Sequence, residues 1–114
     1  MELTEEAAGD VMVVAVNGRL DAEAARRFGE HLSALIHDGR SELLIEASKL
    51  DYIGSLGLRA LLVAANLAAE SKGWLALCCL TAPVRRVVEL AGFGTIFQIY
   101  QSREEALAKL CVPS

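Results

Sequence analysis

One hydroxyl in this chain has an unusual setting. In Tyr52-Ile53-Gly54-Ser55-Leu56-Gly57-Leu58-Arg59 a single serine lies between two glycines. An apolar run, Leu43-Leu44-Ile45, precedes the stretch, and Leu58-Arg59-Ala60-Leu61-Leu62-Val63-Ala64-Ala65 continues it. The pattern reads strand, turn, helix, which puts Ser55 at a helix N-terminus. Unpaired backbone N–H groups and the positive end of the helix dipole favour an anion there. A phosphate on Ser55 would add about −1.5 to −2 charges at that point. The glycines leave little bulk over the turn and let a kinase approach the backbone closely. The same serine also reads as a plain helix cap, worth typically ~1 kcal/mol. The two roles are compatible, because a capping hydroxyl can also be modified.

Other reactive side chains make weaker patterns. Asp21 is a good N-cap for a helix that follows it, and Arg59 lies one turn into the helix after Ser55. His31 and His37 are six residues apart on one helix. That spacing is neither i,i+3 nor i,i+4, so they form no metal pair. Cys78 and Cys79 sit inside an apolar run, and Cys111 completes an odd count of three. Such a set makes no disulfide framework and reads as reduced thiols of a cytosolic protein. Gly92-Phe93-Gly94 lacks the third glycine of a dinucleotide fingerprint, and no P-loop lysine is present. No catalytic triad or paired carboxylates are visible. The sequence therefore calls for no catalytic residue, cofactor or metal.

The chain has 114 residues, 54% of them hydrophobic and 23% charged, with a net charge of −4. Length and composition predict one folded domain over residues 1–114 with its own core. The acidic balance and the lack of a basic stripe argue against nucleic acid and against anionic lipid. The acidic N-terminal residues do not resemble a signal peptide. No apolar run approaches the roughly 18 residues of a membrane span.

The elements that must hold Ser55 follow from period and punctuation. Residues 2–8 and 11–16 predict two strands around a Gly9-Asp10 turn, able to pair as a hairpin. Asn17-Gly18 reads as a loop. Residues 22–37 predict a helix capped by Asp21, with Ala25, Phe28, Leu32, Leu35 and Ile36 on one stripe. Residues 42–47 predict a strand buried on both faces, as in a parallel sheet. Residues 48–54 read as a loop. A second helix spans about residues 56–71, with Leu58, Leu61, Leu62, Ala65 and Ala69 inward, and Lys72-Gly73 stops it. Residues 74–80 predict a buried strand with Cys78 and Cys79 on opposite faces. Pro83 opens a third helix that Gly92 closes. A last strand over 96–100 and a helix started by the capping box Ser102-Arg103-Glu104-Glu105 end the series. Alternating strands and helices call for an α/β layered domain. The Ser55 loop then falls after a strand C-terminus, where such sheets carry their sites.

The chain resembles the STAS domain, the family of bacterial anti-sigma factor antagonists. The likeness covers nearly the whole sequence. It rests on Gly18-Arg19-Leu20-Asp21, on the strand over 43–47, and on Tyr52-Ile53-Gly54-Ser55-Leu56-Gly57-Leu58. It extends to Thr81-Ala82-Pro83-Val84-Arg85-Arg86-Val87-Val88-Glu89-Leu90-Ala91-Gly92-Phe93. The resemblance implies a mixed β-sheet packed with about four helices. It also implies a phosphorylation-switched binding module. The unphosphorylated form would sequester an anti-sigma factor that is a serine kinase, freeing a sigma factor for transcription. Phosphorylation at Ser55 would break the complex, and a phosphatase would reset it. The implied partner surface contains Asp21, Gly54, Ser55, Leu56, Gly57 and Arg59. The family motif reads roughly Asp-Ser-Ser-Gly-Leu, and its aspartate is Gly54 here. STAS domains also serve as cytoplasmic accessory subunits of membrane transport machines, including lipid-trafficking ABC systems, and the missing carboxylate suits that alternative.

Overall fold

The structure, a computed structural model, describes residues 1–110. Its first two strands, β1 (Glu2–Ala8) and β2 (Val11–Leu20), form an antiparallel hairpin. Around them the chain adds α1 (Ala22–His37), β3 (Glu42–Glu46), β4 (Leu50–Ile53) and α2 (Ser55–Glu70). It finishes with β5 (Trp74–Cys78), α3 (Ala82–Leu90), a 3-10 turn at Phe93–Thr95, β6 (Gln98–Tyr100) and α4 (Arg103–Leu110). The main sheet runs β1-β2-β3-β5-β6, with every pair after the hairpin parallel. The expected mixed sheet with four helices is what forms. Cys111 and the last three residues lie outside the described part.

β2 is the long central strand, and it serves two partners. Its first half pairs with β3 and its last residues with β4. The sequence reading made both Asn17-Gly18 and residues 48–54 loops. Asn17-Gly18 instead lies within β2, and residues 50–53 of the expected loop form β4, with a register shift between Gly18 and Arg19. β4 escapes pattern recognition because it is four residues long and buries only its ends, Leu50 and Ile53. An i,i+3 burial pair is not strand alternation.

Alternate residues of β3 split the core. Leu43 and Ile45 face the side covered by α1 and α2, where they meet Phe28, Leu32, Leu61 and Ala64. Leu44 faces the opposite side with Val11, Val13, Ala76 and Cys78, against Ala106 of α4. Burial of each large aliphatic side chain contributes about 1.5–3 kcal/mol relative to exposure. The inward stripe of α1 follows the expected positions, with Leu35 only half-buried. That of α2 is rotated: Ala64 and Ala68 are buried where Ala65 and Ala69 were expected. The Thr81 hydroxyl donates to the Leu50 carbonyl at 2.9 Å, tying the start of α3 to β4. Ser102 caps α4 as expected, accepting from the Glu105 N–H at 3.0 Å.

β5 ends at Cys78, two residues before the sequence suggested. Cys79 leaves the strand with φ +62, so the two cysteines are not a simple up-down pair. Both thiols are free. Burial, reinforced by the neighbouring Cys79, pushes the Cys78 thiol far above its ordinary range. The thiolate is the reactive form, so Cys78 should be inert in the folded chain. Native protein treated with N-ethylmaleimide at neutral pH is expected to show Cys78 unmodified by peptide mapping. Urea-unfolded protein should be fully labelled there. Equal labelling in both states would contradict this burial.

Candidate functional site

The site is built by one strand pairing. β2 and β4 run parallel with Leu20 opposite Ile53, and both residues are buried. Each strand then turns at once into a helix: Leu20 leads through Asp21 to α1, and Ile53 through Gly54 to α2. The Gly54 N–H donates to the Leu20 carbonyl at 3.0 Å, so the two turns are joined directly. Asp21 and Ser55, 34 positions apart in sequence, thereby reach the same edge of the sheet.

The two turns are capped differently. Asp21 accepts from the Ala24 N–H at 3.0 Å, as a capping carboxylate should. At the start of α2 the cap position is Gly54, in extended backbone, and it offers no side-chain acceptor. Ser55 is the first helical residue and not the cap that its residue type suggested. Its side chain is exposed, and its hydroxyl makes no hydrogen bond among the described residues. Nothing local restrains it from reacting or from accepting a partner's hydrogen bond.

Gly57 explains how the helix sits so close. A Cβ there would lie 2.8 Å from Ile53 Cγ1 and 3.2 Å from the Leu20 carbonyl oxygen. Both neighbours are core residues, so any side chain would push the first turn of α2 off the strands. Gly54 has a neighbour of another kind. A Cβ at that position would come within 3.1 Å of the Tyr52 hydroxyl, which leans over the turn. Arg19, opposite Tyr52 in the β2–β4 register, stacks its guanidinium 4.4 Å above the ring centroid. At an exposed site such stacking contributes about 0.5–1 kcal/mol. Arg19 and Tyr52 form the rim of the site, and sequence reasoning did not select them. Their pairing becomes legible only once residues 50–53 are recognised as a strand.

Leu56 and Arg59 are both exposed on α2, as a binding face requires. Leu56 is 48% exposed and Val63, two turns along the same face, 49%. Together with α1 they border a groove of about 320 Å³. Gly57 itself is buried and acts as a spacer. The histidines are elsewhere. His31 lies against the Glu5 carboxylate of β1, and His37 Nδ1 is 2.9 Å from the Ser33 carbonyl. Among the described residues no group of three or more His, Cys, Asp or Glu is placed to hold a metal ion. No helix of the described residues is long and apolar enough to cross a membrane.

Fold and site together define the class: a mixed-sheet α/β domain with an exposed serine turn and an aspartate-capped turn on one edge. A family model described as the STAS domain matches residues 3–106. The chain belongs to the STAS domain family. It is 33% identical over 108 residues to BtrV of Bordetella bronchiseptica, a protein named as an anti-sigma factor antagonist, covering 95% of this chain and 93% of that one. It is 27% identical over 105 residues to the anti-sigma F factor antagonist of Paenibacillus polymyxa, covering 91% and 90%. In fold it matches the crystal structure of TM1081 from Thermotoga maritima with a TM-score of 0.91 at 22% identity, covering 96% and 95%.

Proposed function

We propose that the protein is an anti-sigma factor antagonist, a single STAS domain over residues 1–114 that acts in the cytoplasm by binding and not by catalysis. Its partner is an anti-sigma factor that is also a serine kinase. The partner surface is the edge formed by Asp21, Gly54, Ser55, Leu56, Gly57 and Arg59. The names of its relatives favour this reading over an accessory subunit of a lipid transport system. The observation that carries the switch is the free, exposed Ser55 hydroxyl on the first turn of α2, beside the Asp21 turn.

The switch is electrostatic. Phosphorylation brings about −1.5 to −2 charges onto a surface that must be desolvated when the partner docks. The helix N-terminus stabilises that phosphate within the free protein. Both effects favour the dissociated state. A phosphatase returns the neutral hydroxyl.

The test is the intact mass of the protein from its own organism, before and after phosphatase treatment, with the site mapped by fragmentation. One phosphatase-sensitive phosphate on Ser55 is expected. With purified anti-sigma factor, Ser55→Asp is expected to bind at least about tenfold more weakly (~1.4 kcal/mol), and Ser55→Ala as the unmodified chain does. Equal binding by the two variants would exclude a charge switch at this residue.

A further inference from the structure

The groove between α1 and α2 begins where the serine turn ends. Its floor is made of small residues, Ala25 and Gly29 from α1 and Ala60 and Ala64 from α2. A Cβ on Gly29 would lie 3.7 Å from that of Ala60, so the helices pack closely here with room for no more than small side chains between them. Leu56 and Val63 stand at one wall, half in solvent. Two cations border the trough, Arg26 from α1 and Arg59 from α2. Neither forms an ion pair among the described residues, and Glu30 is the one carboxylate on the lining. In a chain of net charge −4 this is a local excess of positive charge beside exposed apolar surface.

We propose that this groove receives an amphipathic helix of the anti-sigma factor, with its apolar side chains on Leu56 and Val63 and an acidic side chain between Arg26 and Arg59. The proposal rests on the partner assignment above. A helix suits the site because grooves between helices take ridges of side chains at i, i+4 and i+7. The lining runs from Ala22 to Ser33, eleven residues on, so roughly 16 Å and about three turns of an occupant. The charge requirement follows from the two arginines. Unpaired guanidiniums at an apolar rim are complemented by carboxylates, which they hold bidentately.

The placement also links occupancy to the switch. Leu56 lines the groove and follows Ser55 directly. An occupant that seats on Leu56 and carries acidic side chains passes next to any phosphate on Ser55. Like-charge repulsion then makes phosphate and bound helix exclude one another.

The experiment is a calorimetric titration of the full, unphosphorylated chain with the purified anti-sigma factor of the same organism. Val63→Glu is expected to weaken binding at least about tenfold, with thermal unfolding unchanged because the side chain is half exposed. Arg59→Glu is expected to weaken it similarly, with partial rescue by reversing one acidic residue on the partner helix. Leu90→Glu, on α3 and outside the groove at 80% exposure, serves as the control that binds normally. Normal binding by Val63→Glu overturns the groove, and if Ser55→Asp still weakens binding, the function stands without it. The reverse pattern keeps the groove and removes the switch at Ser55. A dimer in light scattering that Val63→Glu dissociates would make a second copy the occupant and overturn the partner helix.

Discussion

Gly73→Ala is expected to be the most damaging single-methyl change in this protein. A Cβ at that position would lie 2.0 Å from the Ser41 carbonyl oxygen and 2.5 Å from its carbon. These are backbone atoms at the start of β3, so no side-chain rotation relieves the overlap. The strand must move by more than 1 Å. That displacement strains two hydrogen bonds, Gly73 N–H to Ala68 carbonyl at 2.7 Å and Trp74 N–H to Ser41 carbonyl at 2.9 Å. It also pulls on the β3–β5 pairing that begins at Glu42 and Trp74. Ordinary overpacking costs about 1–3 kcal/mol. With backbone on both sides, the expected loss is about 3 kcal/mol or more, a fall in Tm of about 10 °C or more. Calorimetry reads it directly. The preceding residue gives the contrast. Lys72 takes the left-handed conformation after α2, with φ +64. Lys72→Gly should therefore change Tm little, since relief of strain offsets the extra freedom of the unfolded chain. A Tm fall for Lys72→Gly as large as that for Gly73→Ala would refute this division of roles.

Phe28→Ala is expected to cost about 3–5 kcal/mol. The ring is 0% exposed, in the layer where α1 meets β2, β3 and α2. Its removal leaves a cavity that only helix movement can close. A domain of this size has a total stability of about 5–15 kcal/mol, so roughly a fifth or more is at stake. Urea unfolding should show a lower midpoint with an unchanged slope. Phe28→Leu should lose far less, because most of the volume stays. If the alanine variant unfolds at the wild-type midpoint, the packing described for α1 is wrong. The loss matters for the site because α1 carries Asp21 at its head.

Much of this architecture is legible in the sequence where local signals agree with tertiary ones. α1 has a capping aspartate, a clean apolar stripe and a closing Gly39, and it occupies the expected residues. Leu43-Leu44-Ile45 reads as a strand buried on both faces, and both faces are covered. The failures have physical causes. Residues 50–53 form a strand because β2 offers them a free edge, not because of their pattern. Gly73 looks like a helix terminator chosen for its backbone freedom, yet the unusual dihedral falls on Lys72 and the glycine is required by Ser41. Ser55 looks like a cap by residue type, but Gly54 takes that place. The serine's location was readable; its unengaged hydroxyl, and the Arg19–Tyr52 rim, depend on contacts that no local window contains.

The two faces of the sheet are protected very unequally. On the side of Val11, Val13, Leu44 and Ala76, the helix that packs among the described residues is α4, eight residues long with Ala106 as its one fully buried side chain. So small an anchor opens at a free energy well below that of global unfolding, and amide exchange should find α4 among the first elements to lose protection. Each opening bares a strip of valine and leucine on an intact β-surface, the kind of surface that recruits other chains. Self-association of this protein in concentrated solution is therefore expected to follow how often its smallest helix lifts more closely than the strength of its core.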